Sequence, residues 1–105
     1  MPEVVVEIVR YVSDEPQPGL VECVLVDALG NQHSFVEKSP VVSCENLLAV
    51  SIYPRSCIIA CLIEEEWIDE SARNLVRIDT SRPWGVESID GATVFVVLSS
   101  QLRKR

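Results

Sequence analysis

Asp79, Glu87 and Asp90 place three carboxylates inside the stretch DTSRPWGVESIDG, from Asp79 to Gly91, together with Arg82 and Trp84. Paired carboxylates perform general acid–base chemistry when one of them is desolvated. Such a pair needs a cleft, and a small one-domain scaffold offers a shallow one. The same residues also build a turn with no chemistry in it. Asp79 or Ser81 closes an Asx- or Ser-type turn, Pro83 stiffens it, and Gly85 takes backbone angles closed to other residues. On that reading Trp84 plugs one end of the scaffold. Arg82 and Trp84 are two apart and share a face if the chain is extended. Both residue types are enriched in binding hot spots.

A second group is EEEWIDE, Glu64 to Glu70, with five acidic residues around Trp67. An aromatic anchor ringed by acid suits a basic protein surface, with charge steering the encounter and the anchor supplying affinity. The plainer reading is protection, in which charges keep an exposed strand from pairing with another molecule. Calcium is a weaker alternative, because the carboxylates lack the EF-hand pattern and its glycine.

Cysteine and histidine give less. On a strand Cys57 and Cys61 face the same side about 13 Å apart, too far to share one metal or one disulfide. Zinc would need Cys23, Cys44 and His33 to converge through the fold. A Cys–His nucleophilic pair has no local motif behind it. The expectation is therefore no catalytic residue, no metal and no cofactor. The sequence also carries no phosphate-binding glycine loop, no H-E-x-x-H and no dinucleotide fingerprint.

The elements that must position these residues are strands. Val4, Val5, Val6, Ile8, Val9 and Val12 predict a first strand over 3–12, continuous enough to be buried on both faces. SDEPQPG is a loop. A second strand over 20–28 carries Val21, Cys23 and Leu25 on one face and Leu20, Glu22, Val24 and Val26 on the other. Gly30-Asn31 turns the chain into a third strand over 32–37, the clearest hairpin in the sequence. Residues 44–50 admit one short helix capped by Ser43, and 49–53 also read as a strand. Residues 56–68 predict the longest strand, with Cys57, Ile59, Cys61, Ile63, Glu65 and Trp67 on one face. Strands follow at 75–80 and 92–98, and Val86 to Ile89 are expected to pair with Thr93 to Val96. Six or seven mostly antiparallel strands imply an all-β fold, a half-open barrel or a sandwich.

Composition bounds the rest. The 105 residues make one domain, expected over 1–102, with 103–105 as a basic tail. Nine basic and sixteen acidic residues leave a net charge of −7, and three of the nine are Arg103, Lys104 and Arg105. Nucleic acid, which needs clustered cations, is not expected as a partner. Excess acid permits long-range attraction to a basic protein, and it also simply keeps an apolar chain in solution. No apolar run approaches the ~18 residues of a membrane span. The first residues carry Glu3 and Glu7 and lack a basic leader pattern, so the expected location is cytoplasmic with reduced cysteines.

The expectation from sequence is a non-enzymatic protein-binding module of the immunity or inhibitor type, acting on a basic partner through Glu64, Glu66, Trp67, Arg82, Trp84 and Glu87. The alternative is a small enzyme or ligand binder that uses Asp79, Glu87, Asp90 and His33. A third reading is a homodimer, joined edge to edge or face to face, rather than a monomer.

Overall fold

Alternation decides which side of each strand is buried. In the first strand, β1 (Glu3–Ser13), Val4, Val6 and Ile8 are buried while Glu7 is exposed and Val5 and Val9 are half-covered. The expected burial on both faces is thus found on one. In the next strand, β2 (Leu20–Val26), Val21, Cys23 and Leu25 point inward, as their spacing predicts. The computed structural model describes residues 1–15, 19–42 and 53–103. The expected helix at 44–50, the strand reading at 49–52 and Cys44 lie outside them.

Among the described residues eight strands form two antiparallel sheets. After β2 come β3 (Gln32–Lys38), a four-residue helix α1 (Ser39–Val42), β4 (Arg55–Ala60), β5 (Leu62–Ile68), β6 (Asn74–Asp79), β7 (Val94–Leu98), a single 3-10 turn (Ser99–Gln101) and β8 (Leu102–Arg103). One sheet runs β3-β2-β1-β4, with β8 also paired to β1, and the other runs β5-β6-β7. Their inner faces share one core that includes Ile8, Phe35, Ile59, Ile78, Val86 and Phe95. Phe35 and Phe95 meet edge to face at 5.6 Å between centroids, a favoured aromatic geometry.

The predicted strand over 56–68 is two strands. The chain passes from one sheet to the other at Cys61, which stays buried. The register then shifts between Ile63 and Glu65 on β5. One extra residue reverses which face later side chains take. Trp67 therefore pairs with Leu75 on the outer face instead of continuing the inward row of Cys57, Ile59 and Cys61.

Two hairpin turns are built alike. Asp27 Oδ1 accepts the amides of Leu29 and Asn31, each at 2.9 Å. Asp69 Oδ1 accepts the amides of Ser71 and Arg73 at 3.0 and 2.9 Å. The left-handed position is Gly30 in one turn and Ala72, with φ 62°, in the other. The β2–β3 hairpin is the one the Gly-Asn pair predicts. The expected second hairpin, 86–89 against 93–96, does not form. Asp79 pairs with Val94 instead, so residues 80–93 connect β6 to β7. At the end of the described chain Leu102 stands opposite Val4 and Arg103 opposite Glu3, pairing this segment with β1.

Candidate functional site

The 79–91 loop is tied at both ends by buried polar groups. Thr80 is fully buried; its Oγ1 donates to the Val86 carbonyl at 2.8 Å, and its amide donates to the Thr93 carbonyl at 2.8 Å. The Val86 amide returns a bond to the Thr80 carbonyl at 3.1 Å, and the Gly85 amide bonds the Ser81 carbonyl at 2.8 Å. Gly85 has φ 67°, the left-handed region that favours glycine. Ser88, also buried, exchanges bonds with Ala92 at 2.8 and 3.0 Å, and the Ile89 amide reaches the Ser34 carbonyl at 2.8 Å. Each bond satisfies a backbone group that would be costly to bury alone.

These ties fix where the candidate contact residues stand. Val86 fills the core with no exposure, whereas Trp84 is 66% exposed. The plug expected of Trp84 is thus supplied by Val86. Residues 80–84 form a turn, so Arg82 and Trp84 are not on an extended segment; Arg82 is exposed beside it. Trp84 borders a small notch of about 160 Å³, whose wall includes Glu3, Pro40, Val41, Ile58 and Ala60.

Asp79 is half-buried, and hydrogen bonds from the Ser81 hydroxyl and amide hold its carboxyl below the usual range, with the Arg82 charge adding to them. Glu87 is exposed and acts elsewhere. Burial first, and then the charge of Glu87, raise the carboxyl of Glu37 on β3 above its ordinary value. Asp90 sits exposed in the turn that Gly91 closes on Ser88.

Glu64 to Ile68 of the acidic stretch lie on β5, a terminal strand of its sheet, and Asp69 and Glu70 lead into the turn after it. Glu64, Glu65 and Glu66 are all exposed there. Arg77 on the neighbouring strand lies 2.6 Å from Glu65 and 3.4 Å from Glu64. Asp69 pairs with Arg73 at 2.9 Å while capping its turn, and its carboxyl is held low, first by the Arg73 amide. The patch is therefore partly neutralised from within. Trp67 is half-buried in a row with Leu75 and Leu98 across three strands, and Leu75 beneath it is buried. Trp67 covers an apolar row more than it offers a free anchor.

Asp79 pairs with Leu62, which puts the root of the Trp84 loop two residues from Glu64. Trp67 lies five residues along β5 from Leu62, roughly 17 Å at strand spacing. The loop thus adjoins the Glu64 end of the acidic strand and not its far end.

His33 pairs with Asp27 at 2.8 Å and stands edge-on to Phe95 at 4.8 Å. Burial alone would raise the Asp27 carboxyl, but the His33 bond and the Asn31 and Leu29 amides outweigh it and leave it lowered. Cys23 is pushed up by its hydrogen bond to Cys57 and by burial. Burial and the charge of Glu3 push Cys61 up to about 11. Both stay protonated thiols near neutral pH. Among the described residues no three His, Cys, Asp or Glu side chains converge to hold a metal ion, and no helix is long and apolar enough to cross a membrane.

Residue pattern did not single out Thr80, Val86 and Ser88, which hold the loop, or the notch beside Trp84. A buried threonine within a turn sequence carries no distinguishing mark of its own. No family model matches the chain, and no curated protein or solved structure was found similar to it.

Proposed function

We propose that this chain is a binding module that docks a basic protein segment, with Trp84 as its anchor and the Glu64 end of β5 as its steering charge. The observation that carries this reading is an indole 66% exposed on a loop whose neighbours Thr80, Val86 and Ser88 are buried and hydrogen-bonded. A large apolar ring held in water by a pre-ordered loop loses little conformational freedom on binding. The notch at its side is sized for one side chain. A Lys or Arg stem there lies along Pro40 and Ile58 with its cation near the ring face and the Glu3 carboxylate. Glu64, Glu65 and Glu66 continue the negative field along the edge strand, while Arg77 and Arg73 limit it locally.

In this reading Trp84 leads, Arg82 flanks it, and Glu64 and Glu66 steer. Trp67 and Glu87 contribute from the margins. An inhibitor-like protein acting in the cytoplasm on a basic enzyme, such as a nuclease, is the concrete form this takes. The test is affinity capture from lysate by the wild-type chain, Trp84→Ala and a Glu64→Lys/Glu66→Lys double variant. Enrichment of basic over acidic proteins, salt-sensitive and lost in both variants, is the expected result. Undiminished capture by both variants removes this surface from the account.

A further inference from the structure

The outward side of β1 and β2 is apolar where a sheet with one wet face should alternate to polar. Val5, Val9, Val24 and Val26 stand there, and with Glu7, Ser56, Gln32, Ser100 and Gln101 they border a groove of about 630 Å³. Its origin is a gap in pairing. β2 meets β1 from Glu7 onward, and β8 meets it at Glu3 and Val4. Val5 and Val6 lie between those two partners. Gln101 fixes the rim: its Oε1 accepts the Leu98 amide and its Nε2 donates to the Val26 carbonyl, both at 2.8 Å.

Among the described residues Glu7 is the one charged side chain lining the groove. Its register neighbours are Val24 on one side and Ser56 on the other. Among the described residues nothing forms a hydrogen bond or ion pair with its carboxylate. Arg10, three residues further along β1, is held by Glu22. A groove with an apolar floor, one carboxylate that has no partner among the described residues, and a rim of neutral amides and hydroxyls has a definite complement.

We infer that this groove binds a small organic monocation, an amine with an aliphatic or aromatic body. The ammonium meets Glu7 and hydrogen-bonds to Ser56 or Gln32, and the body lies on Val5, Val9, Val24 and Val26. The volume falls within the range of small-molecule sites. Anions are repelled by Glu7 and by the net charge of −7. A second copy of the chain is a poor occupant, because its own Glu7 would face this one across a desolvated surface.

The experiment is methyl NMR titration of the full chain with n-octylammonium, 1-octanol and octanoate. The expected result is saturable shifts at the Val5, Val24 and Val26 methyls. Octylammonium should bind about tenfold more tightly than either other probe, a difference of about 1.4 kcal/mol. Glu7→Gln abolishes that preference while keeping the methyl spectrum of a folded chain, and Trp84→Ala leaves it intact. No saturable shift at these valines, equal binding of the three probes, or an undiminished preference in Glu7→Gln overturns the inference. Loss of binding in Trp84→Ala also overturns it, since the probe would then sit in the notch. Failure at these valines leaves the Trp84 surface untouched, because no residue bordering the Trp84 notch lines the groove.

Discussion

The Thr80 hydroxyl donates to the Val86 carbonyl at 2.8 Å inside the core, and that bond closes the loop on whose apex Trp84 stands in water. The two residues divide the work. One holds the loop and is buried; the other is presented by it.

That division predicts opposite phenotypes. Thr80→Val keeps the shape but leaves a buried carbonyl without its hydroxyl donor, at a cost of about 1–3 kcal/mol. Trp84→Ala alters an exposed side chain and should stay within about 0.5 kcal/mol of wild type. Urea unfolding of the two variants measures both. A Trp84→Ala chain as unstable as Thr80→Val would mean that the indole packs into the fold.

The matched turns allow a second test. Ala72 takes a left-handed backbone that costs a non-glycine residue about 1–2 kcal/mol, while Gly30 takes it freely. Glycine at 72 relieves this strain but adds unfolded-state entropy, worth about 0.4–1 kcal/mol. Ala72→Gly should therefore raise the urea midpoint slightly at constant slope. Gly30→Ala should lower it, although nothing stands within 4 Å of the added methyl, so the loss is backbone strain alone. A lower midpoint for Ala72→Gly counts against this.

Glu37 predicts an inverted pH response. Its carboxyl is raised in the fold by burial and by Glu87. A raised folded pKa means the native state holds the proton more tightly than the unfolded chain. Its stabilising contribution is full below the unfolded value, about 4.3, and is lost as pH rises through the folded value. At neutral pH the charge is a net burden, so Glu37→Gln should raise the melting temperature there. The advantage should fade as pH falls below about 4.3. Asp27 has the opposite sign: its lowered carboxyl stabilises the fold above about pH 3.9 and loses that contribution on further acidification. Melting curves across pH for wild type and Glu37→Gln decide this; a gain confined to acid would contradict it.

Much of the fold was legible because an antiparallel sheet with one core repeats every second residue. Val21, Cys23 and Leu25 announce their face in that way, and Gly30 announces its turn. The switch of sheets at Cys61 was not legible, since the apolar alternation runs through it unbroken. The register shift after Ile63 is equally silent locally, and it moved Trp67 to the other side of the sheet. β8 is two residues long, too short for any periodicity. For the site, residue type singled out Trp84 and Arg82 but not their exposure, because tryptophan is common both in cores and at contacts. The valines around Glu7 read as core for the same reason that they leave an open groove: apolar composition does not say whether a face is covered.

The measurement that bears most directly on the central claim is the affinity of a purified basic partner, obtained by capture, for wild type, Trp84→Ala and Glu64→Lys/Glu66→Lys at two salt concentrations. Trp84→Ala should weaken binding about tenfold or more, near 1.4 kcal/mol, with its melting temperature unchanged. The double charge reversal should mainly slow association and flatten the salt dependence. Wild-type affinity in the Trp84→Ala chain would contradict it.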